Sequence, residues 1–257
     1  MLVKTFRAEH YAATVEVPTR LAVVIPAKDE AARIGATVRS ARTIPGAQEV
    51  IVVDDGSSDD TGERAASAGA TVIRHPRNRG KAAAMQTGAA RVAELDPVDP
   101  GAGPHALLFV DADLEDTAAT TAALVKPVLA GEADVTIAVL PAQRAPGGGR
   151  GLVVNLSRRG IQRATGWTPT QPLSGMRCLT RAAFDAALPL ARGWGVETGM
   201  TIDLLHAGFR VVEVPCELHH RVTGRDWRAQ LHRARQYRDV ALALAVRRLG
   251  LRRSQPR

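Results

Sequence analysis

Apolar residues come in short runs, each closed by a polar burst, and stretches of helical spacing lie between them. Leu21–Pro26 (Leu-Ala-Val-Val-Ile-Pro) is continuous and short, which predicts a buried strand. Ala31–Arg42 then places Ile34 and Val38 on one helical face. The same alternation gives a strand at Glu49–Val53, a helix at Gly62–Ala68, a strand at Ala70–Arg74 and a helix at Ala82–Leu95. Asp96–Pro104, rich in Pro and Gly, predicts a surface loop, and Leu107–Val110 a fourth strand. Further on, the pattern predicts a helix at Thr117–Leu129, a strand at Asp134–Leu140, a basic helix at Leu152–Thr165 and a strand at Arg210–Val214. Thr223–Trp227 opens a long final helix, and Tyr11–Val17 holds strand pieces with no assigned chemistry. Three βα repeats and a fourth strand predict an α/β fold. Its sheet is mostly parallel, with helices on both faces and right-handed crossovers.

The polar bursts follow the strands, where an open parallel sheet binds its ligands. Asp54–Thr61 packs an acidic pair, a Gly and two Ser into one such turn. In His75–Lys81, Gly80 allows close backbone approach, the helix start offers free N–H groups and Lys81 adds positive charge. That set suits a phosphate or a sugar diphosphate, although P-loop spacing is absent. After Val110 come Asp111 and Asp113, which an extended chain would point to the same side. Paired carboxylates repel unless something positive sits between them, and hard oxygen ligands suit Mg²⁺ or Mn²⁺. The plainer alternative is that Asp111 ends a strand and Asp113 caps the next helix.

Net charge is +8 and the sequence pI is 10.4, a balance that favours anionic partners. Aromatic residues make up 4%, so the interleaved aromatics of base-stacking proteins are not evident, and nucleic acid is not an expected partner. Cys178 and Cys216 are far apart and suggest a reduced, cytoplasmic protein. The first residues lack a signal-peptide apolar region, and no apolar run reaches the length of a bilayer span, so membrane contact would be peripheral, at the inner surface. The final helix carries Arg228, Arg233, Arg235, Arg238, Arg247 and Arg248 beside Leu231, Tyr237, Val240, Leu242, Leu244 and Val246. It can pack on its own domain, on a second subunit in a homodimer, or touch anionic lipid.

Four segments in order, Val-Val-Ile-Pro-Ala-Lys-Asp-Glu, Val-Ile-Val-Val-Asp-Asp-Gly-Ser-Ser-Asp-Asp-Thr, Arg-Asn-Arg-Gly-Lys and Phe-Val-Asp-Ala-Asp, resemble family 2 glycosyltransferases of the Rossmann-like GT-A fold. The resemblance implies one GT-A domain over residues 1–257. Its donor half would span about 18–115, its acceptor half 116–222, and a basic helical extension 223–257. It also implies a nucleotide-diphosphate sugar donor, UDP- or GDP-linked, bound by Pro26, Ala27, Glu30, Asp55, Gly80, Lys81, Asp111 and Ala112. Ala27 and Glu30 would lie by the nucleoside, Asp55 near the base and Lys81 near the diphosphate. Asp113 would be the main ligand of Mg²⁺ or Mn²⁺ and a catalytic residue.

In the second half, Gln171-Pro172-Leu173-Ser174-Gly175, Gly193-Trp194-Gly195-Val196-Glu197 and His219-His220-Arg221 look similar to the glucosyl-3-phosphoglycerate synthases. By that resemblance His220 completes the metal site. Arg150, in the Gly-rich loop Pro141–Gly151, grips the acceptor's phosphate, and Ser174, Gly175 and Glu197 line the acceptor pocket. Glu197 would be catalytic, the candidate base if configuration inverts; if it is retained, the departing phosphate takes the proton. The chain has Gly151-Leu152 where that family has Val-Thr, and Val222 where it has Asn, both beside the acceptor positions. The expected acceptor is a small anionic molecule, with a polyprenyl phosphate at the inner membrane surface as the alternative.

Overall fold

The computed structural model describes residues 5–6, 17–96, 103–141, 151–217 and 227–250, with the backbone alone described at 5–6 and 227–232. The strands are β1 (Thr5–Phe6), β2 (Arg20–Ala27), β3 (Ala47–Asp54), β4 (Thr71–Arg74), β5 (His105–Phe109), β6 (Val135–Val139), β7 (Arg177–Leu179) and β8 (Val211–Pro215). They form one sheet in the order β1-β8-β6-β7-β5-β2-β3-β4. β5-β2-β3-β4 is parallel throughout, as is β6 with β8. β7 runs antiparallel between β5 and β6, and β1 is antiparallel to β8. The helices are α1 (Ile34–Ala41), α2 (Thr61–Ser67), α3 (Lys81–Leu95), α4 (Ala122–Leu129), α5 (Leu152–Thr165), α6 (Arg181–Ala186), α7 (Val196–His206) and α8 (Trp227–Arg248).

Strand periodicity divides the core into two layers. On β2, Ala22 and Val24 point to one layer, where Met85 and Val92 of α3 pack with Met200 and Leu204 of α7. Leu21, Val23 and Ile25 point to the other, against Ile34 and Val38 of α1 and Leu124 and Val128 of α4. An eight-residue helix such as α1 is marginal alone; burying Ile34 and Val38 at roughly 1.5–3 kcal/mol each supplies what propensity does not.

Two expectations need correction, and one segment was missed. The helix expected over Thr117–Leu129 is a 3-10 segment at Glu115–Thr121 followed by α4. Thr117, Thr120 and Thr121 each donate a hydroxyl hydrogen bond to the carbonyl three residues back, which favours the tighter winding. The expected pairing of Asp111 with Asp113 on an extended chain also fails: β5 stops at Phe109 and Ala112–Asp113 is a turn. The segment β7–α6 was not anticipated at all. The strand pieces expected at 11–16 lie outside the described residues, and Val17 is irregular.

Candidate active site

The loops at the carboxyl ends of β2, β3 and β5, with the turn before α7, enclose a cleft of about 440 Å³. Its lining includes Pro26, Ala27, Glu30, Asp55, Gly80, Lys81, Asp111, Ala112, Asp113 and Glu197, all anticipated from sequence. Lys28, Asn78, Ala84, Gly193 and Trp194 also line it and were not anticipated as site residues. Ser174 is buried and Gly175 sits on the Lys81–Asp111 pair, but neither is among the lining residues. Arg150 and His220 lie outside the described residues.

The polar burst after β3 divides its work. Asp54 is fully buried and accepts the Ser57 N–H at 2.8 Å, which shapes the turn. Ser57 Oγ accepts the Asp29 N–H at 2.9 Å, and Thr61 Oγ1 the Glu30 N–H at 2.8 Å. The burst thereby braces the turn after β2, in which Asp29 adopts the left-handed φ of 54°. Asp55 faces the cleft. Its carboxylate accepts the N–H groups of Arg79 (2.8 Å) and Gly80 (2.7 Å), and Oδ1 lies 2.7 Å from His75 Nδ1. Burial pushes the Asp55 carboxyl up, but those three donors more than reverse it and hold it below its ordinary value. Gly80, at φ 89°, turns this loop into α3.

Lys81, the first residue of α3, reaches across the cleft. Its Nζ lies 2.8 Å from Asp111 Oδ1 and 3.1 Å from Glu197 Oε1. Burial works against its charge, yet the two carboxylates outweigh that cost and raise its pKa. Glu197 arrives in the first turn of α7, whose residues are buried through Leu205. The Asp113 turn is pinned from α1: Thr37 Oγ1 donates to Ala112 O (2.8 Å) and accepts the Glu115 N–H (2.9 Å). Glu30 pairs with Arg33 at 2.9 Å. Burial raises the Glu30 carboxyl above its ordinary value; Arg33 opposes this and the nearby Asp113 charge adds to it.

The described lining holds five carboxylates (Glu30, Asp55, Asp111, Asp113, Glu197) against two ammonium groups, Lys28 and Lys81. A diphosphate alone would be repelled there, so the donor set calls for a hard cation. Among the described residues no three His, Cys, Asp or Glu side chains converge as a closed metal cage. One or two carboxylates plus ligand oxygens is how Mg²⁺-type ions are commonly held; Asp111 and Asp113 both line the cleft, with Asp111 at 2.8 Å from Lys81.

Comparison with known proteins agrees with this geometry. Residues 22–187 match the family profile Glycosyl transferase family 2. Glycosyltransferase AglJ of Haloferax volcanii is 28% identical over 217 residues, 81% of this chain and 66% of that protein. Glucosyl-3-phosphoglycerate synthase of Mycobacterium tuberculosis is 31% identical over 214 residues, 71% of this chain and 60% of that protein. A crystal structure of the M. tuberculosis synthase with Mn²⁺, uridine diphosphate and phosphoglyceric acid superposes with a TM-score of 0.71 at 27% identity, covering 89% of this chain and 78% of that one. The chain spans only 22%, 41% and 66% of the length of three of its curated relatives. With the profile matched over more than half of the chain and the cleft residues gathered at the strand ends, the chain belongs to glycosyl transferase family 2.

Proposed function

We propose that this chain transfers a hexose from a nucleotide-diphosphate sugar to a small anionic acceptor with the help of Mg²⁺ or Mn²⁺. The observation that carries the reading is the surplus of carboxylates in the cleft at the carboxyl ends of the parallel strands. In the M. tuberculosis synthase, Mn²⁺, uridine diphosphate and phosphoglyceric acid bind together, which makes UDP-glucose the first donor to try. When bound, the cation would neutralise the diphosphate as it departs.

The protein's own residues would do the rest. Asp113 and the His220 expected beside it would hold the ion, and Glu30 and Asp55 would flank the nucleoside. Lys81 would approach the diphosphate and offset charge that grows as the sugar–oxygen bond breaks. Glu197, held at 3.1 Å by Lys81, would orient the acceptor hydroxyl. With Glu197 held on Lys81, the hydroxyl proton would pass to the departing phosphate, with retention. Anomer-resolved NMR of the product tests this: inversion would restore Glu197 as the base.

The decisive experiment is a thermal-shift screen of UDP- and GDP-sugars with and without Mn²⁺. A donor at a hundredfold over its Kd adds ~2.7 kcal/mol, or roughly 5–10 °C for a chain of this size. The shift should need Mn²⁺ and vanish in Asp113→Ala; no shift with any donor would refute the reading.

A second reading, a polyprenyl-phosphate acceptor at a membrane surface, draws on α8. Leu242 and Val246 are exposed on it beside Arg235 and Arg238, and Leu249 is exposed just past its end. No helix among the described residues is long and apolar enough to cross a membrane, so contact would be peripheral. Failure to co-sediment with anionic vesicles would remove this alternative.

A further inference from the structure

Arg177 has the largest of the fully buried side chains, at 1% exposure. It opens β7, between Phe109 of β5 and Ile137 of β6. Among the described residues no carboxylate forms an ion pair with it, so its burial is not explained as half of a salt bridge. Its hydrogen bonds go elsewhere. Nε donates to Ser174 O at 2.9 Å, and a second arm lies 3.5 Å from Pro172 O. The remaining arm donates to Thr201 Oγ1 at 3.0 Å, and that hydroxyl donates in turn to Glu197 O at 2.8 Å.

Those contacts join the two surfaces that close on Lys81. On one side is the Pro172–Gly175 loop. A methyl built on Gly175 would overlap Lys81 Nζ and lie 2.8 Å from Asp111 Oδ1, so the backbone there rests on the ion pair. On the other is the first turn of α7, which presents Glu197 Oε1 to the same Nζ at 3.1 Å. A guanidinium is suited to this task because its planar fork fixes several acceptors in one geometry, which an ammonium cannot do. Burial pulls its pKa down to about 10, while the charges of Glu197 and Glu213 pull it back up, so it stays charged at neutral pH.

We infer that Arg177 is a positioning residue that sets the spacing between the Pro172–Gly175 loop and Glu197 across Lys81, and that turnover, more than donor binding, depends on it. The inference rests on the reading of the cleft as a donor site, and it adds a residue that never touches the ligand.

The test compares wild type with Arg177→Lys, Arg177→Met and Thr201→Val. Hydrogen–deuterium exchange on the ligand-free proteins should quicken in peptides covering 172–176 and 197–201, while the β2 peptide stays protected. With Mn²⁺ and the donor found active in the wild type, the donor Kd of Arg177→Lys should stay within about threefold and kcat should fall by about thirtyfold or more. Thr201→Val, which breaks only the second link, should lose about three- to tenfold in kcat. If Arg177→Met does not fold, Arg177→Lys and Thr201→Val carry the comparison. Unchanged exchange in both peptides, unchanged kcat in Arg177→Lys, or a donor Kd weakened in step with kcat would overturn the inference. A wild type that binds no nucleotide sugar would instead refute the donor-site reading, and the exchange data would still show whether Arg177 links loop and helix.

Discussion

Asp55 contacts the cleft and organises it with the same carboxylate. Its depressed folded-state pKa means that it contributes stability fully present above its unfolded value, about 4, and lost as pH falls through the folded value. Asp55→Asn should therefore cost about 1–3 kcal/mol at pH 7, and the gap to wild type should narrow below about pH 4. Urea melts at pH 7 and pH 3 check this; an equal gap at both would show that the charge is not what matters. Gly175 offers a second single-residue test. Gly175→Ala crowds Lys81 and Asp111, so turnover should fall about tenfold or more, and the melting temperature by only a few degrees. Cleft-lining residues such as Asp55 and Lys81 were legible in the sequence because each stands in a short polar burst directly after an apolar run. Arg177 was not, since an arginine in a three-residue strand carries no periodic signal and reads as surface.

Among the elements, those with a long pattern were the most legible. Leu152–Thr165 is a helix over the residues anticipated, and β2, β3 and β5 lie within two residues of their expected ends. Elements set by side-chain-to-backbone bonds or by tertiary pairing were missed: the Thr-rich 3-10 segment is the first kind and β7 the second. The join between β6 and β8 depends on a pair that periodicity also hides. Arg210 binds Asp134 through two arms, at 2.9 and 3.0 Å, and a third reaches Gly131 O. The Asp134 carboxylate is almost wholly buried. Arg210→Ala would leave its charge with only the backbone N–H of residue 210, at 2.7 Å, and should destabilise the fold by about 3–5 kcal/mol, read as a lower urea midpoint at unchanged slope. A loss under about 1 kcal/mol would mean that water takes the arginine's place.

At the scale of the whole molecule, the cleft has two walls of different origin. One wall comes from four loops within residues 26–113, which the side-by-side parallel strands β5, β2, β3 and β4 bring to one edge of the sheet. The facing wall is the single segment 193–197, held from behind by a distant one. Trp194 lines the cleft at 42% exposure, and its N–H donates to Asp239 Oδ2 of α8 at 3.3 Å. Only the fold joins residues 45 positions apart in this way. Donor binding should therefore shift tryptophan emission, and Trp194→Phe should remove most of the change. Trp167, buried at 5% exposure, should report little of it. An emission change that survives Trp194→Phe would place the donor elsewhere.

The grip of Asp239 on the Trp194 amide makes the carboxyl-terminal helix a lever on a surface it does not itself line. Trimming the chain ahead of residue 227 would spare every carboxylate of the cleft and should still loosen that wall. A version shortened or fused at that point should therefore be compared with the full chain before its activity is judged.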